Sequence, residues 1–298
     1  MKICVDTAPM VKKYGEAEAL RRIADCGFDG VDYGMFHYDM NGELFARSDE
    51  DFMAHFAEIY EVAKSAGIEI AQVHSPMPSY VTDGDNNAHI WACQRKSILA
   101  AAALHSPYIV IHPCIPAQYR YDFYRAETRV INREFYSLLK PALIEYGVKL
   151  GVENMFNWDP VKERICPTVC SSAEEMCDYV DMMGEGFCAC LDVGHGSLSG
   201  EAAGTMVRKL GKRLELLHVH DNDGSGDQHT APMLGLNGKG MSSVNWDDFA
   251  AALHEVNYQG TLSLETDTFQ YMYGLELLME STRMLAAIAR TFVSKYNF

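Results

Sequence analysis

Positive charge is scarce in this chain: 25 Lys and Arg stand against 41 Asp and Glu, a formal net charge of -16. Binding to a phosphate backbone rests on Lys and Arg releasing counterions, so nucleic acid is disfavoured as a partner. Long apolar runs are missing as well. No stretch approaches the roughly twenty apolar residues that span a bilayer, and Met1 to Asp6 contains no basic region leading into such a run. A protein of the cytoplasm with no membrane attachment is expected. The nine cysteines include no C-x-x-C pair. Cys4, Cys188 and Cys190 fall in strand-like apolar runs, as buried reduced thiols do, and the spacing of Cys166, Cys170 and Cys177 matches no zinc module. Glycine-rich phosphate loops are absent too. Gly194-His195-Gly196 has no third glycine at the dinucleotide spacing, and Gly238-Lys239-Gly240 has neither the leading glycine nor the Ser/Thr of a P-loop.

What the chain does contain is a repeating alternation of β-rich and helical stretches. With 298 residues, 48% of them hydrophobic, it is long enough to bury about three quarters of its unfolded surface in one globule. Short β-rich runs occur at Lys2–Val5, Phe28–Tyr33, Ile68–Val73, Tyr108–Ile111, Val148–Val152, Phe187–Leu191, Leu214–Val219 and Thr261–Leu264. Between them lie helical patterns, several with clear punctuation: Asp49–Ala66 stops at Gly67, and Ser172 precedes Glu174 and Glu175 as an N-cap does. No proline-rich or low-complexity linker divides the chain. The expected fold is α/β, a (β/α)8 TIM barrel occupying residues 1–298 as a single domain, with an open doubly wound sheet as the alternative.

The apolar run Leu214–Val219 breaks into L-L-H-V-H-D-N-D-G-S-G-D-Q-H, from Leu216 to His229, where imidazoles and carboxylates crowd a turn-forming loop. Similar events recur along the chain. His74, His112, Glu153, Asp192, His220 and Glu265 each follow an expected strand, from the third to the eighth. In a barrel those ends share the face that carries the active site, a clustering that solvated surface residues would not produce. Neutral imidazole and ionised carboxylate are the ligands that zinc, manganese, cobalt or iron accept. His218 is expected to face the helices, opposite His220, as a structural residue.

The chain resembles the xylose-isomerase-like barrel superfamily, which joins sugar phosphate isomerases and epimerases to the three-zinc apurinic endonucleases. The resemblance rests on V-H-S-P at Val73–Pro76, I-H-P at Ile111–Pro113, V-E-N at Val152–Asn154 and L-D-V-G-H at Leu191–His195. H-V-H-D-N-D from His218, D-Q-H at Asp227–His229 and L-E-T at Leu264–Thr266 complete it. For the isomerase branch it implies one divalent ion, Mn, Zn, Co or Mg, held by Glu153, Asp192, His220 and Glu265. Glu153 and Glu265 then serve as the catalytic acid and base on opposite sides of a sugar or polyol-derived substrate. His74, His112, His195, Asp227, His229 and Trp158 are candidate substrate contacts. The endonuclease branch implies a second reading, a three-zinc phosphodiester hydrolase in which His74, His112, His195, Asp227 and His229 are ligands as well. The loop Gly235–Gly240 departs from the P-G-E-G common to both branches.

Chemistry independent of the resemblance asks for the same groups. Removing a proton next to a carbonyl leaves an enediolate, whose oxyanion a Lewis acid stabilises while one carboxylate takes the proton and a second returns it. A lyase or dehydratase needs the same chemistry, and a catalytically dead binding barrel would have no use for the full ligand set. Phe36, Tyr38 and Phe156 are candidate walls against a sugar ring, and Lys239, Arg120, Arg125 and Arg164 are the basic residues placed near the active face. Homo-oligomerisation is left open.

Overall fold

Each of the eight β-rich runs forms a strand in the computed structural model, which describes residues 1–82, 86–116, 120–233 and 242–298. Lys239 and the loop 235–240 lie outside the described residues. The strands are β1 (Ile3–Asp6), β2 (Gly30–Gly34), β3 (Glu69–His74), β4 (Tyr108–Val110), β5 (Lys149–Glu153), β8 (Phe187–Asp192), β9 (Leu214–His218) and β10 (Leu262–Leu264). A two-stranded antiparallel hairpin, β6 (Phe156–Asp159) and β7 (Arg164–Pro167), follows β5 where the sequence suggests only a loop.

All the barrel strands run parallel, in the order β10-β1-β2-β3-β4-β5-β8-β9. A parallel bridge between Val219 and Leu264 joins the last strand to the first, so the sheet closes into the expected (β/α)8 barrel. Parallel strands need a crossover between them, and the helices supply it. Ser48 caps Asp49–Ala66 by accepting a hydrogen bond from the Asp51 amide, and Gly67 ends that helix at a φ of 69°. Ser172 caps Ala173–Met183 in the same way through Glu175. Among the described residues no helix is long and apolar enough to cross a membrane.

Period-two alternation divides each strand between two environments. Outward residues such as Ile3, Val5, Val31, Val73, Ile109, Val152, Leu191 and Leu217 join the main core against the helices, with Phe52, Phe56, Phe135 and Phe249. Full burial of each such phenylalanine contributes roughly 1.5–3 kcal/mol. Inward residues fill the barrel. Near its lower end Val110, Cys188, Cys190 and Leu216 form a separate apolar layer. Gly151 is required there, since a Cβ on it would lie 2.7 Å from Leu216 Cδ1 and 3.1 Å from Cys190 Cβ. The next inward position on β5 is Glu153, on β8 Asp192 and on β9 His218, so the apolar layer is a floor under a layer of acids and imidazoles.

Candidate active site

At the C-terminal ends of the strands the barrel brings together the six residues expected there. His74, Glu153 and Asp192 end β3, β5 and β8, while His112, His220 and Glu265 lie just beyond β4, β9 and β10. Glu153 is the hub. Its Oε2 lies 3.1 Å from His112 Nε2 and 3.5 Å from His74 Nε2, and its Oε1 lies 3.5 Å from His195 Nδ1. His220 Nε2 sits 3.1 and 3.2 Å from the two oxygens of Asp192.

Local structure holds these side chains in place. Asn154 clips β5 to β8: its Nδ2 donates to the Asp192 carbonyl at 2.8 Å and its Oδ1 accepts from the Asp192 amide at 2.7 Å. Asp192 Oδ1 in turn accepts from the His195 amide at 2.6 Å, and the His195 ring reaches the Asn154 carbonyl at 2.9 Å. Beyond His220, paired backbone bonds between Asp221 and Thr230 close the loop that carries Asp227 and His229. Trp246 Nε1 donates to Asp221 Oδ2 at 3.0 Å and anchors that closure. Asp227 then lies 3.3 Å from His195 Nε2, 2.9 Å from His229 Nε2 and 3.5 Å from His220 Nε2.

A cavity of about 410 Å³ opens over this layer. His112, Glu153, His195, Asp227, His229 and Glu265 form its polar side, and Phe36, Met77, Pro78, Ile115, Met155 and Phe156 its apolar side. Phe36 packs on His74 at 4.6 Å between ring centroids and Phe156 on His195 at 5.0 Å, as candidate walls should. His74 itself is buried beneath the cavity. Trp158 stands on the hairpin, 49% exposed and outside the cavity wall. Tyr38 points elsewhere, packed at a tilt against His37 and hydrogen-bonded to Glu16. Arg125 pairs with Asp122 and Glu175, Arg120 covers Phe123, and neither they nor Arg164 line the cavity.

His218 does not face the helices. Residues two apart on a strand share a face, so His218 follows Leu216 into the barrel, where it is fully buried. Its Nδ1 lies 3.2 Å from Glu153 Oε1 and 3.1 Å from Glu265 Oε2, and its Nε2 lies 3.0 Å from Asp32 Oδ2. Asp32 and Gln72, inward on β2 and β3, give no motif in the sequence. The signal that could have found them is parity: each is a polar residue at an inward position of a strand whose outward residues are apolar.

Burial opposes the charged forms of Glu153 and Glu265, and the imidazoles decide the outcome. His218 and His112 hold Glu153 well below the usual carboxylate range despite its burial, and His218 and His229 do the same for Glu265. Desolvation lowers His112, and Glu153 does not fully offset it, whereas the Glu153 contact leaves His74 raised. Burial also works against protonated His195, yet Asp192 and Asp227 raise it to about 10. Asp6, at the end of β1, is pushed up to about 8 by burial and by neighbouring Asp32 and Glu265, which outweigh the Ala8 amide and His74.

The donor set fits divalent metal. Glu153 Oε2 is buried with no aligned hydrogen bond although two imidazole nitrogens approach it. Ligand atoms that converge without satisfying one another are what a cation completes. Among the described residues, three groups of ligand atoms lie within 4.8 Å of one another: His74, His112 and Glu153; Glu153, Asp192, His218 and Glu265; and His195, His220, Asp227 and His229. A fourth grouping, His74, His218 and Glu265, overlaps the first two.

Among known proteins, the chain is 29% identical over 178 residues to the uncharacterized protein MJ1311 of Methanocaldococcus jannaschii. That match takes in 58% of this chain and 55% of MJ1311, so the chain spans about half the length of the curated relatives it matches. A D-tagatose 3-epimerase-like protein superposes on it with a TM-score of 0.73 at 20% identity, covering 100% of this chain and 98% of that one. The IolI protein with a bound zinc atom superposes with a TM-score of 0.70 at 18% identity, covering 99% of each chain. The family model described as the xylose isomerase-like TIM barrel matches residues 20–288, and with the barrel and its strand-end residues in view, the chain belongs to that family.

Proposed function

We propose that the chain is a divalent-metal-dependent isomerase or epimerase of a small polyhydroxylated carbonyl compound. The observation that carries this reading is the convergence of Glu153 and Glu265, both held ionised, on the polar side of one small cavity. A volume of about 410 Å³ falls in the range of small-molecule sites, and one polar and one apolar side match a molecule with hydroxyls on one edge and C–H groups on the other. The likeness to a D-tagatose 3-epimerase-like protein and to a zinc-bound IolI protein is in keeping with it.

Glu153, Asp192 and Glu265 are the proposed metal holders together with one imidazole, His220 as the sequence resemblance implies or His218, whose ring nitrogen groups with the three acids. When bound, the ion supplies Lewis acidity toward a developing oxyanion. The chain's own groups move the protons. One glutamate, already a carboxylate, accepts the proton from the carbon beside the carbonyl. The other delivers a proton to the opposite face of that carbon in an epimerisation, or to the neighbouring carbon in an isomerisation. His112, His195 and His229, at the cavity wall, are placed to hydrogen-bond substrate hydroxyls, while Phe36 and Phe156 restrict water from the apolar side.

One observation favours a second reading. The three groups of ligand atoms follow the pattern a three-metal phosphodiester hydrolase requires. Three measurements separate the readings: metal stoichiometry of protein purified without chelators, NMR of ketohexoses incubated with it in deuterium oxide, and an abasic-DNA cleavage assay. About one ion per chain with deuterium entering a ketohexose at the carbon beside its carbonyl supports the isomerase. Three ions per chain, no exchange and cleavage of abasic DNA would replace it.

A further inference from the structure

We propose that the outer face of the long helix Tyr121–Tyr146 is a dimer interface, on which a second copy of this chain docks with the two helices side by side and parallel. The helix has 26 residues and is about 39 Å long at 1.5 Å per residue. Its inner face buries Thr128, Asn132, Phe135 and Leu139. The opposite face carries Phe123, Val130, Leu138, Pro141 and Ile144, all exposed. Phe123 is 73% exposed even with the Arg120 guanidinium over its ring, and Val130, Leu138 and Ile144 are each 47% exposed. A helix on the outside of a barrel needs one apolar face, and this one has two.

Spacing makes the second face a seam. Phe123, Val130, Ser137 and Ile144 stand seven residues apart, the repeat that keeps one helix against another, and a single polar residue such as Ser137 at one of these positions selects register at a cost in adhesion. At about 100° per residue, Glu127, Glu134 and Glu145 project about 20–40° to one side of Phe123, and Arg133 and Arg129 about 80–120° to the other. All five are exposed. Arg129 reaches Asp178 at 3.5 Å, but the side chains of Glu127, Arg133 and Glu134 have no hydrogen-bond or ion-pair partner among the described residues. The seam is thus flanked by unpaired acid on one side and unpaired base on the other.

Charge decides both the partner and the orientation. Two copies related by a twofold axis along the helix run parallel, and the acidic flank of each meets the basic flank of the other. Glu134 then faces Arg133 of the partner subunit twice over, once on each side of the seam. A twofold axis across the helix makes the pair antiparallel and sets like flanks together, Glu against Glu, which is repulsive. A second copy supplies the complementary flanks with no further requirement, and the contact is self-complementary as a twofold interface must be. In the parallel pair both cavities open in the same direction.

Light scattering on a size-exclusion column, sedimentation velocity and oxidative cross-linking test this on the full chain, and none of these readouts uses turnover. The wild type should run at the mass of two chains. Val130→Asp, Arg133→Glu and Glu134→Arg should each raise the dimer dissociation constant about tenfold or more, with far-UV circular dichroism unchanged. An equal mixture of Arg133→Glu and Glu134→Arg chains should form a mixed dimer, because each offers the charge that the other lacks. Ile144→Cys should cross-link to itself on oxidation, above the background of the wild type. A monomeric wild type overturns the proposal. So does a dimer that Val130→Asp and Arg133→Glu leave intact, which places the interface elsewhere. Cross-linking that requires a mixture of Phe123→Cys and Ile144→Cys chains is the antiparallel signature and overturns it too. If Val130→Asp fails to fold, the two charge reversals and their mixture carry the test, and failure of the mixture to pair overturns the parallel arrangement.

Discussion

His112 Nε2 lies 3.1 Å from Glu153 Oε2, which ties the acid that ends β5 to the strand beside it. With His218 on the other oxygen, Glu153 is kept a carboxylate in a place where burial alone would protonate it. Glu153→Gln keeps the shape and removes the proton acceptor. Positioned acid/base groups contribute about 10²–10⁴-fold to rate, so Glu153→Gln and Glu265→Gln should each lower kcat on an identified substrate by that order. Either variant retaining wild-type kcat would remove that glutamate from the proton-transfer scheme.

Asn132 offers a test of how the loop after β4 is held. Its Oδ1 accepts from the Cys114 amide at 2.7 Å and its Nδ2 donates to the Cys114 carbonyl at 2.9 Å, all of it buried. Asn132→Leu strands both backbone groups of Cys114. Each unsatisfied buried group costs roughly 1–3 kcal/mol, so a loss of about 2–6 kcal/mol is expected from urea denaturation. Because Cys114 follows His112 and Pro113 directly, turnover should fall along with stability.

The barrel was legible because its eight strands read as β-rich runs, and seven of them lead into His, Glu or Asp: Asp6, His74, His112, Glu153, Asp192, His220 and Glu265. The strand ranges differ from the expected ones by at most two residues at either end. The hairpin Phe156–Pro167 was not legible. Its strands are four residues each and partly exposed, so they carry no apolar alternation to read. His218 was misplaced by a slip in parity, and Asp32 and Gln72 offered only parity, with no motif to single them out. A lone polar residue inside a strand has meaning only when its neighbours across the barrel are known. Trp158 shows the converse: an aromatic near Glu153 in sequence is carried away from the cavity by the hairpin.

Stability at acid pH should depend on Glu16, far from the metal-ligand candidates. Burial pushes its carboxyl up, but His37, Tyr33 and Tyr38 outweigh burial and leave it below the ordinary 4.5. A depressed folded-state value contributes stability above the unfolded one, and that contribution disappears as pH falls through the folded value. Glu16→Gln should therefore melt lower than wild type at neutral pH, and the gap should close as pH drops below about 4.5. Thermal melts at pH 7, 5, 4 and 3 check this. A gap that stays constant across the series would mean that Glu16 contributes through packing instead.

Metal removal tests the whole cluster at once. Glu153, Asp192, Glu265 and Asp227 are four acids brought together at the barrel mouth, and imidazoles of the described residues face each of them. An ion bound by the folded chain stabilises it by mass action, about 2.7 kcal/mol at a free concentration one hundred times Kd. For a chain of this size that corresponds to a rise of roughly 5–10 °C in Tm. Stripping with a chelator should lower Tm by that amount, and adding back manganese or zinc should restore it. Asp227→Asn then divides the cluster: it touches His195, His220 and His229 but not Glu153 or Glu265. With one ion held by Glu153, Asp192, His220 and Glu265, the variant should keep most of the thermal response. If the response disappears, a metal sits among His195, Asp227 and His229, and the three-metal reading gains the ground that the isomerase loses.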